Sequence, residues 1–132
     1  MKINMADLME LERLLGRSIA VFNASGVTKL DLSGKGLTSL PEAIGQLSSL
    51  RQLWLENNQL SSLPDTTGHL SSLQQLWLQG NELSSLPESM GHLSSLKWLD
   101  LSSNRFTTLP ETVKLALMEL KQRGCSISGM NM

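Results

Sequence analysis

Four groups of side chains have the right types for chemistry, and each sets a requirement that the rest of the chain must meet. His69 and His92 stand 23 residues apart, a step that would place two imidazoles side by side in a repeating chain. A zinc site needs three or four protein ligands. The same step taken outward from the pair lands on Gln46 and Leu115, so both histidines are read as exposed side chains and no metal site is predicted. Ser33-Gly34-Lys35-Gly36-Leu37 resembles a phosphate cradle, but the earlier glycine is missing and a glycine follows the lysine where serine or threonine is required. Serines come in pairs at Ser48-Ser49, Ser71-Ser72 and Ser94-Ser95. A nucleophile needs a base held beside it by a third group, and a ladder of equivalent serines singles none out; hydroxyls bonding to backbone in tight turns account for them. Cys125, the only cysteine, is expected as a surface thiol with Arg123 as its one basic neighbour, short of the electropositive setting that makes a thiolate reactive. No nucleophile, base and orienting group converge, so no enzyme is predicted and no cofactor is called for.

The remaining distinctive residues are the tryptophans, and where they point depends on the elements that carry them. Pro41, Pro64, Pro87 and Pro110 follow one another at steps of 23, as do Leu30, Leu53, Leu76 and Leu99, and again Leu32, Leu55, Leu78 and Leu101. Units beginning at Val27, Leu50, Leu73 and Leu96 follow from this step. The second and third agree at 16 of 23 positions, which marks them as copies of one structural coil. Within the third unit, Leu76 and Leu78 alternate with Gln75, Trp77 and Gln79, the period-two signature of a strand with one buried face. Asn81 stands where the chain leaves that strand, and its amide can satisfy backbone groups of its own turn and of the neighbouring coil. Pro87 fixes its φ and donates no hydrogen bond, which suits entry into an extended or short helical segment. Leu83, Leu86, Met90 and Leu93 then fill the space behind the sheet. One coil cannot bury its own apolar face, so stability must come from stacking.

The run Leu73-Gln74-Gln75-Leu76-Trp77-Leu78, followed by Asn81, Leu83, Leu86-Pro87, Met90-Gly91 and Leu93, resembles the leucine-rich-repeat family in its 23-residue class with a Leu-Pro pair. The resemblance covers about residues 27 to 118. It implies an α/β fold: a curved solenoid with a parallel concave β-sheet and an irregular or short-helical convex side. For function it implies protein recognition, because architecture and not chemistry defines the family. Extracellular members usually carry cysteine-rich caps, and this chain has none. Three departures stand out. Lys35 replaces asparagine in the first unit, so that turn is expected to rely on glycine flexibility and terminal exposure. Thr67 stands where Ile44, Met90 and Val113 are apolar, a mild packing weakness. Lys114 replaces Gly45, Gly68 and Gly91, and there the repeat ends.

The ends of such a stack need covers. Asn4 can cap a helix over about residues 5 to 16, with Leu8, Leu11, Leu14 and Leu15 on one face and Gly16 at its end. Val113, Leu117 and Leu120 recur at helical spacing behind Glu111, with Lys121 and Arg123 where a helix dipole favours cations and Gly124 as the stop. The expected organisation is an N-terminal helical cap at 1–26, four repeats over 27–118, a C-terminal capping helix at 111–125 and a tail at 126–132. Two caps read as those of a complete small protein.

In a coil of this type the residues flanking and between the two strand leucines point outward, onto the concave face. That assigns Lys29, Asp31 and Ser33; Gln52, Trp54 and Glu56; Gln75, Trp77 and Gln79; and Trp98, Asp100 and Ser102. All three tryptophans fall at outward positions. Trp54 and Trp77 should be side by side at about 4.8 Å strand spacing. Tryptophan is the residue most enriched at interface hot spots, so the concave face is expected to bind a protein or peptide. Trp54, Trp77 and Trp98 would be anchors, with Gln52, Glu56, Gln75, Gln79, Asp31 and Asp100 supplying hydrogen bonds and mild negative charge. A partner presenting an apolar side chain flanked by Lys or Arg complements that face, and a homodimer through the same patch is the alternative. Lys and Arg number 11 against 12 Asp and Glu. Nucleic-acid binding, which draws most of its affinity from a basic surplus, and attraction to an anionic membrane are therefore not expected. No apolar run reaches the roughly 20 residues of a membrane span, and the N-terminus lacks a signal peptide's basic start. A reducing, cytoplasmic setting is expected.

Overall fold

The computed structural model describes residues 5–130. Five three-residue strands, β1 (Lys29–Asp31), β2 (Gln52–Trp54), β3 (Gln75–Trp77), β4 (Trp98–Asp100) and β5 (Ser126–Ser128), form one parallel sheet in chain order. The 23-residue step is the sheet register: Leu30 pairs with Leu53, Leu53 with Leu76 and Leu76 with Leu99. The strand leucines alternate as the pattern predicts. Leu53, Leu55, Leu76, Leu78, Leu99 and Leu101 are at most 1% exposed, while their neighbours on the strands are half-buried.

On the opposite side, Pro41, Pro64 and Pro87 open 3-10 helices at Glu42–Gln46, Asp65–His69 and Glu88–His92. These stack directly on one another. The repeated glycine is what lets them approach: a Cβ at Gly45 would lie 2.5 Å from the Thr66 carbonyl oxygen, and one at Gly68 would overlap the Ser89 carbonyl. Thr67, expected to weaken packing, is 2% exposed, and its hydroxyl donates to Pro64 O at 2.7 Å. Thr66 beside it is equally buried and donates to Glu42 O at 2.6 Å. Both buried hydroxyls are thus satisfied, which removes most of the penalty of placing them there.

An asparagine ladder joins the coils. Asn81 Oδ1 accepts from Leu60 N, and its Nδ2 donates to Leu55 O and Leu78 O at 2.9 and 3.0 Å. Asn58 does the same one coil earlier, accepting from Lys35 N and Leu37 N and donating to Leu32 O and Leu55 O. Each amide therefore reaches back to the preceding coil. This explains Lys35: an asparagine in the first repeat would have no earlier coil to reach. The flanking Gly34 and Gly36 take φ of 63° and 68°, a left-handed turn that glycine adopts without strain.

Helix α1 (Met5–Leu15) buries Leu11 completely, packs Leu8, Leu14 and Leu15 partly, and stops before Gly16. The expected cap at Asn4 lies outside the described residues. A second helix, α2 (Ile19–Ala24), was not anticipated. Ser18 Oγ accepts from Val21 N at its start, Phe22 is 3% exposed, and Asn23 Nδ2 donates to Gln46 O of the first convex turn. At the other end α3 (Glu111–Gln122) buries Val113, Ala116, Leu117 and Leu120, and Arg123 donates to Gly91 O.

Two further sequence expectations fail here. The segment read as a tail contributes β5, with Ile127 in register with Leu99. Cys125, expected at the surface, is 5% exposed and belongs to the core cluster, at the point where the chain passes from α3 to β5. Burial pushes its thiol up to about 11, with Arg123 pulling weakly the other way. Among the described residues, no helix is long and apolar enough to cross a membrane.

Candidate functional site

Strand alternation lifts every second residue of β1 to β5 onto the outward face, and the register arranges these residues in rows. One row runs Lys29, Gln52, Gln75, Trp98 and Ser126; the next runs Asp31, Trp54, Trp77, Asp100 and Ser128. Backbone bonding continues past the strands, with Asn57 N donating to Gln79 O and Gly80 N to Ser102 O. Glu56 and Gln79 are therefore lateral neighbours in a third row. The nine side chains assigned to the concave face share one surface, and the three indoles are half-buried there.

Trp54 and Trp77 lie side by side on β2 and β3, as the strand spacing predicts. They are register partners, but the rings that meet are Trp77 and Trp98, with centroids 5.5 Å apart and planes tilted by 40°. Trp77 Nε1 donates to Gln75 Oε1 at 3.3 Å, which draws the indole back along its strand toward Gln75, and Gln75 is the register partner of Trp98. A tilted pair at this separation suits the quadrupoles of two aromatic rings better than a face-to-face sandwich. Trp54 is left without a ring partner among the described residues. Gln75, expected to serve a partner, spends its carbonyl inside the molecule; the signal was its position two residues before Trp77 on the same face.

The acidic positions are not equivalent either. Asp31 Oδ1 accepts from Ser33 N at 2.9 Å and Ser33 Oγ at 2.6 Å. The Ser33 hydroxyl, then its amide, hold the Asp31 carboxyl below its ordinary value against a small opposing effect of burial, and Lys35 adds a weaker attraction. Asp100 accepts from Ser102 in the same way, at 3.0 and 2.5 Å. These two carboxylates are oriented by their own turns. Glu56 Oε2, Gln79 Oε1 and Trp98 Nε1 are buried and have no hydrogen-bond partner among the described residues.

The groups considered for other chemistry lie elsewhere. His69 and His92 are exposed last residues of two convex 3-10 helices. Among the described residues, no three His, Cys, Asp or Glu side chains are grouped to hold a metal ion. The Ser33–Leu37 turn commits the amides of Lys35 and Leu37 to Asn58 Oδ1, so they are not aimed at an anion. A groove of about 560 Å³ on the convex side, between the third 3-10 helix and α3, is lined by Asp65, Glu88, His92 and Glu119 among others. No serine–histidine hydrogen bond forms there, as a nucleophile and base would require; Ser89 Oγ donates to Asp65 O instead.

Comparison with known proteins agrees with this architecture. No curated protein matches the chain. A solved leucine-rich-repeat protein of Leptospira interrogans is similar at 36% identity and a TM-score of 0.52, over 68% of this chain and 29% of that one. This chain thus spans less than a third of that protein's length. The family model described as leucine rich repeat matches residues 25–83 and 55–106. The asparagine ladder, the parallel sheet and that match agree: the chain belongs to the leucine-rich-repeat family, whose repeat domains generally bind proteins and are typically non-catalytic.

Proposed function

We propose that the outward face of the sheet binds a protein or peptide, with Trp54, Trp77 and Trp98 as anchors and Gln52, Glu56, Gln75, Gln79, Asp31 and Asp100 around them. The observation that carries this reading is the gathering of every tryptophan of the chain on the one sheet face turned away from the core. The fold does not require indoles there, since Lys29, Gln52 and Ser126 occupy equivalent positions. Pairing Trp77 with Trp98 is worth about 0.5–1.5 kcal/mol, less than the roughly 1.5–3 kcal/mol gained by fully burying one large apolar side chain. A partner that covers the rings supplies that difference. Trp98 Nε1, Gln79 Oε1 and Glu56 Oε2 lie buried and unpaired beside them, so a partner that draws these side chains outward would satisfy them.

Trp77 is central, with Trp54 on the coil before and Trp98 on the coil after. Trp77→Ala is expected to weaken partner binding by about 2 kcal/mol, roughly thirtyfold, as central aromatic anchors do. His69→Ala and His92→Ala, on the opposite side, should leave binding unchanged. Affinity capture from host lysate with the wild-type chain, Trp77→Ala and the histidine variants, followed by titration of the captured partner, tests this. Binding that survives Trp77→Ala and fails in the histidine variants would move the interface to the convex side.

A further inference from the structure

Trp54 differs from the other two tryptophans in its surroundings. Trp77 and Trp98 cover each other, whereas Trp54 has no ring partner among the described residues. It is bracketed by carboxylates: Asp31 is its register partner on β1, and Glu56 follows two residues later on the same face. Gln79 stands beside Glu56, and each side chain has one oxygen that is closed off from solvent and unpartnered, so it gains a partner only by turning outward. Among the described residues neither Asp31 nor Glu56 is in an ion pair; Lys35 exerts only a weak attraction on Asp31. Lys29 is the one basic side chain in the outward rows, one row away beside Gln52 and exposed.

We infer that the Trp54 subsite takes an arginine side chain of an extended peptide partner, its guanidinium laid on the indole and its N–H groups donated to Glu56 and Gln79. This rests on the peptide-binding reading above and names what that face selects. The chemistry discriminates among donors. A guanidinium is planar and weakly hydrated, so it stacks on an indole while its five N–H groups remain directed outward at the ring's edge. Glu56 and Gln79, lateral neighbours on adjacent coils, offer acceptors to that fork. An ammonium is a compact, strongly hydrated point charge and cannot stack in the same way. A neutral ligand would leave the Glu56 carboxylate oxygen desolvated and unpaired, which is costly.

The chain has three tryptophans and no tyrosine, so its intrinsic emission reports this face alone. The test selects linear peptides from a random display library on the wild-type chain, then titrates the resynthesised peptides by that emission. Each is compared with versions in which arginine is replaced by lysine or by citrulline, its neutral near-isostere. The expected result is that arginine is enriched and that either replacement weakens binding at least about tenfold. Glu56→Gln should bring the arginine and citrulline peptides to within about threefold of each other. Its melting temperature, measured alongside, should match the wild type. Peptides that bind through Trp77 with no preference for arginine, or a preference unchanged in Glu56→Gln, would overturn this inference and leave the peptide-binding reading standing. A library that yields no binder, or only binders indifferent to Trp77→Ala, would overturn both.

Discussion

Asn81 joins two coils through one amide, taking Leu60 N on its oxygen and giving its two protons to Leu55 O and Leu78 O. Asn81→Ala leaves those backbone groups without a partner in a buried turn, and the expected loss is at least about 1–3 kcal/mol in a urea titration. Asn57, one position before the homologous Asn58, is exposed and would serve as a surface control, but its φ is 60°. Alanine there adds left-handed strain of about 1–2 kcal/mol, so the informative control is Asn57→Gly, expected to stay within about 0.5 kcal/mol of wild type. Equal midpoints for Asn81→Ala and Asn57→Gly would contradict the ladder. Cys125 gives a second prediction at this level. Its folded thiol is raised from an ordinary value of 9.0 to about 11, so between those values the native chain keeps a proton that the unfolded chain gives up. Stability from this group is fully present below pH 9 and falls as pH rises toward about 11. The difference between wild type and Cys125→Ala in denaturant midpoint should shrink or reverse over that interval, and native Cys125 should resist alkylation at pH 8 until the chain is unfolded. Rapid labelling of the folded protein would show the thiol to be open.

The convex 3-10 helices depend on a glycine that lets one turn rest on the next. At Gly68 a Cβ would overlap both the carbonyl and the side chain of Ser89, whereas at Gly91 the nearest atom is the flexible end of Glu119, 3.1 Å away. Gly68→Ala forces backbone apart and should cost about 1–3 kcal/mol, while Gly91→Ala should cost clearly less. Paired urea melts of the two variants check the order, and an equal or reversed order would mean that the turns have room to separate. The elements that escaped sequence reading share a physical cause. Helix α2 is six residues long, too short to show a 3.6-residue period, and its anchors are a serine cap and a Phe22 that buries only against its neighbours. β5 has the sequence Ser126-Ile127-Ser128, one apolar residue between two serines, which is a strand only because β4 offers it an edge.

Each coil packs on the next: the strands pair in sequence and the convex turns stack in sequence, with α1 on the first and α3 on the last. A stack of this kind draws its stability from nearest-neighbour interfaces, so damage at one end should remain local. Leu55 N and Leu78 N donate to Trp77 O and Asp100 O within the sheet, while Leu101 N depends on Ser128 O of β5. Ending the chain after Cys125 should therefore expose the Leu101 amide to fast hydrogen exchange and leave those of Leu55 and Leu78 protected. Loss of protection at all three together would show that the repeats unfold as one unit.

The coil step, the strand leucines, the asparagine positions and the outward placement of all three tryptophans were legible in the chain itself. The reason is that a repeat imposes one local environment many times: a leucine recurring at 23 residues meets the same core on each turn, and alternation on a strand fixes which side faces water. The ring partners, the oxygens left unpaired and the burial of Cys125 were not. Each depends on contacts between residues at different positions of different coils. The Trp77 ring meets that of Trp98 while its indole proton goes to Gln75, and no periodic pattern records a diagonal contact. Cys125 is buried just before a strand that pairs with β4, and that strand is decided by the edge waiting there and not by the three residues that fill it.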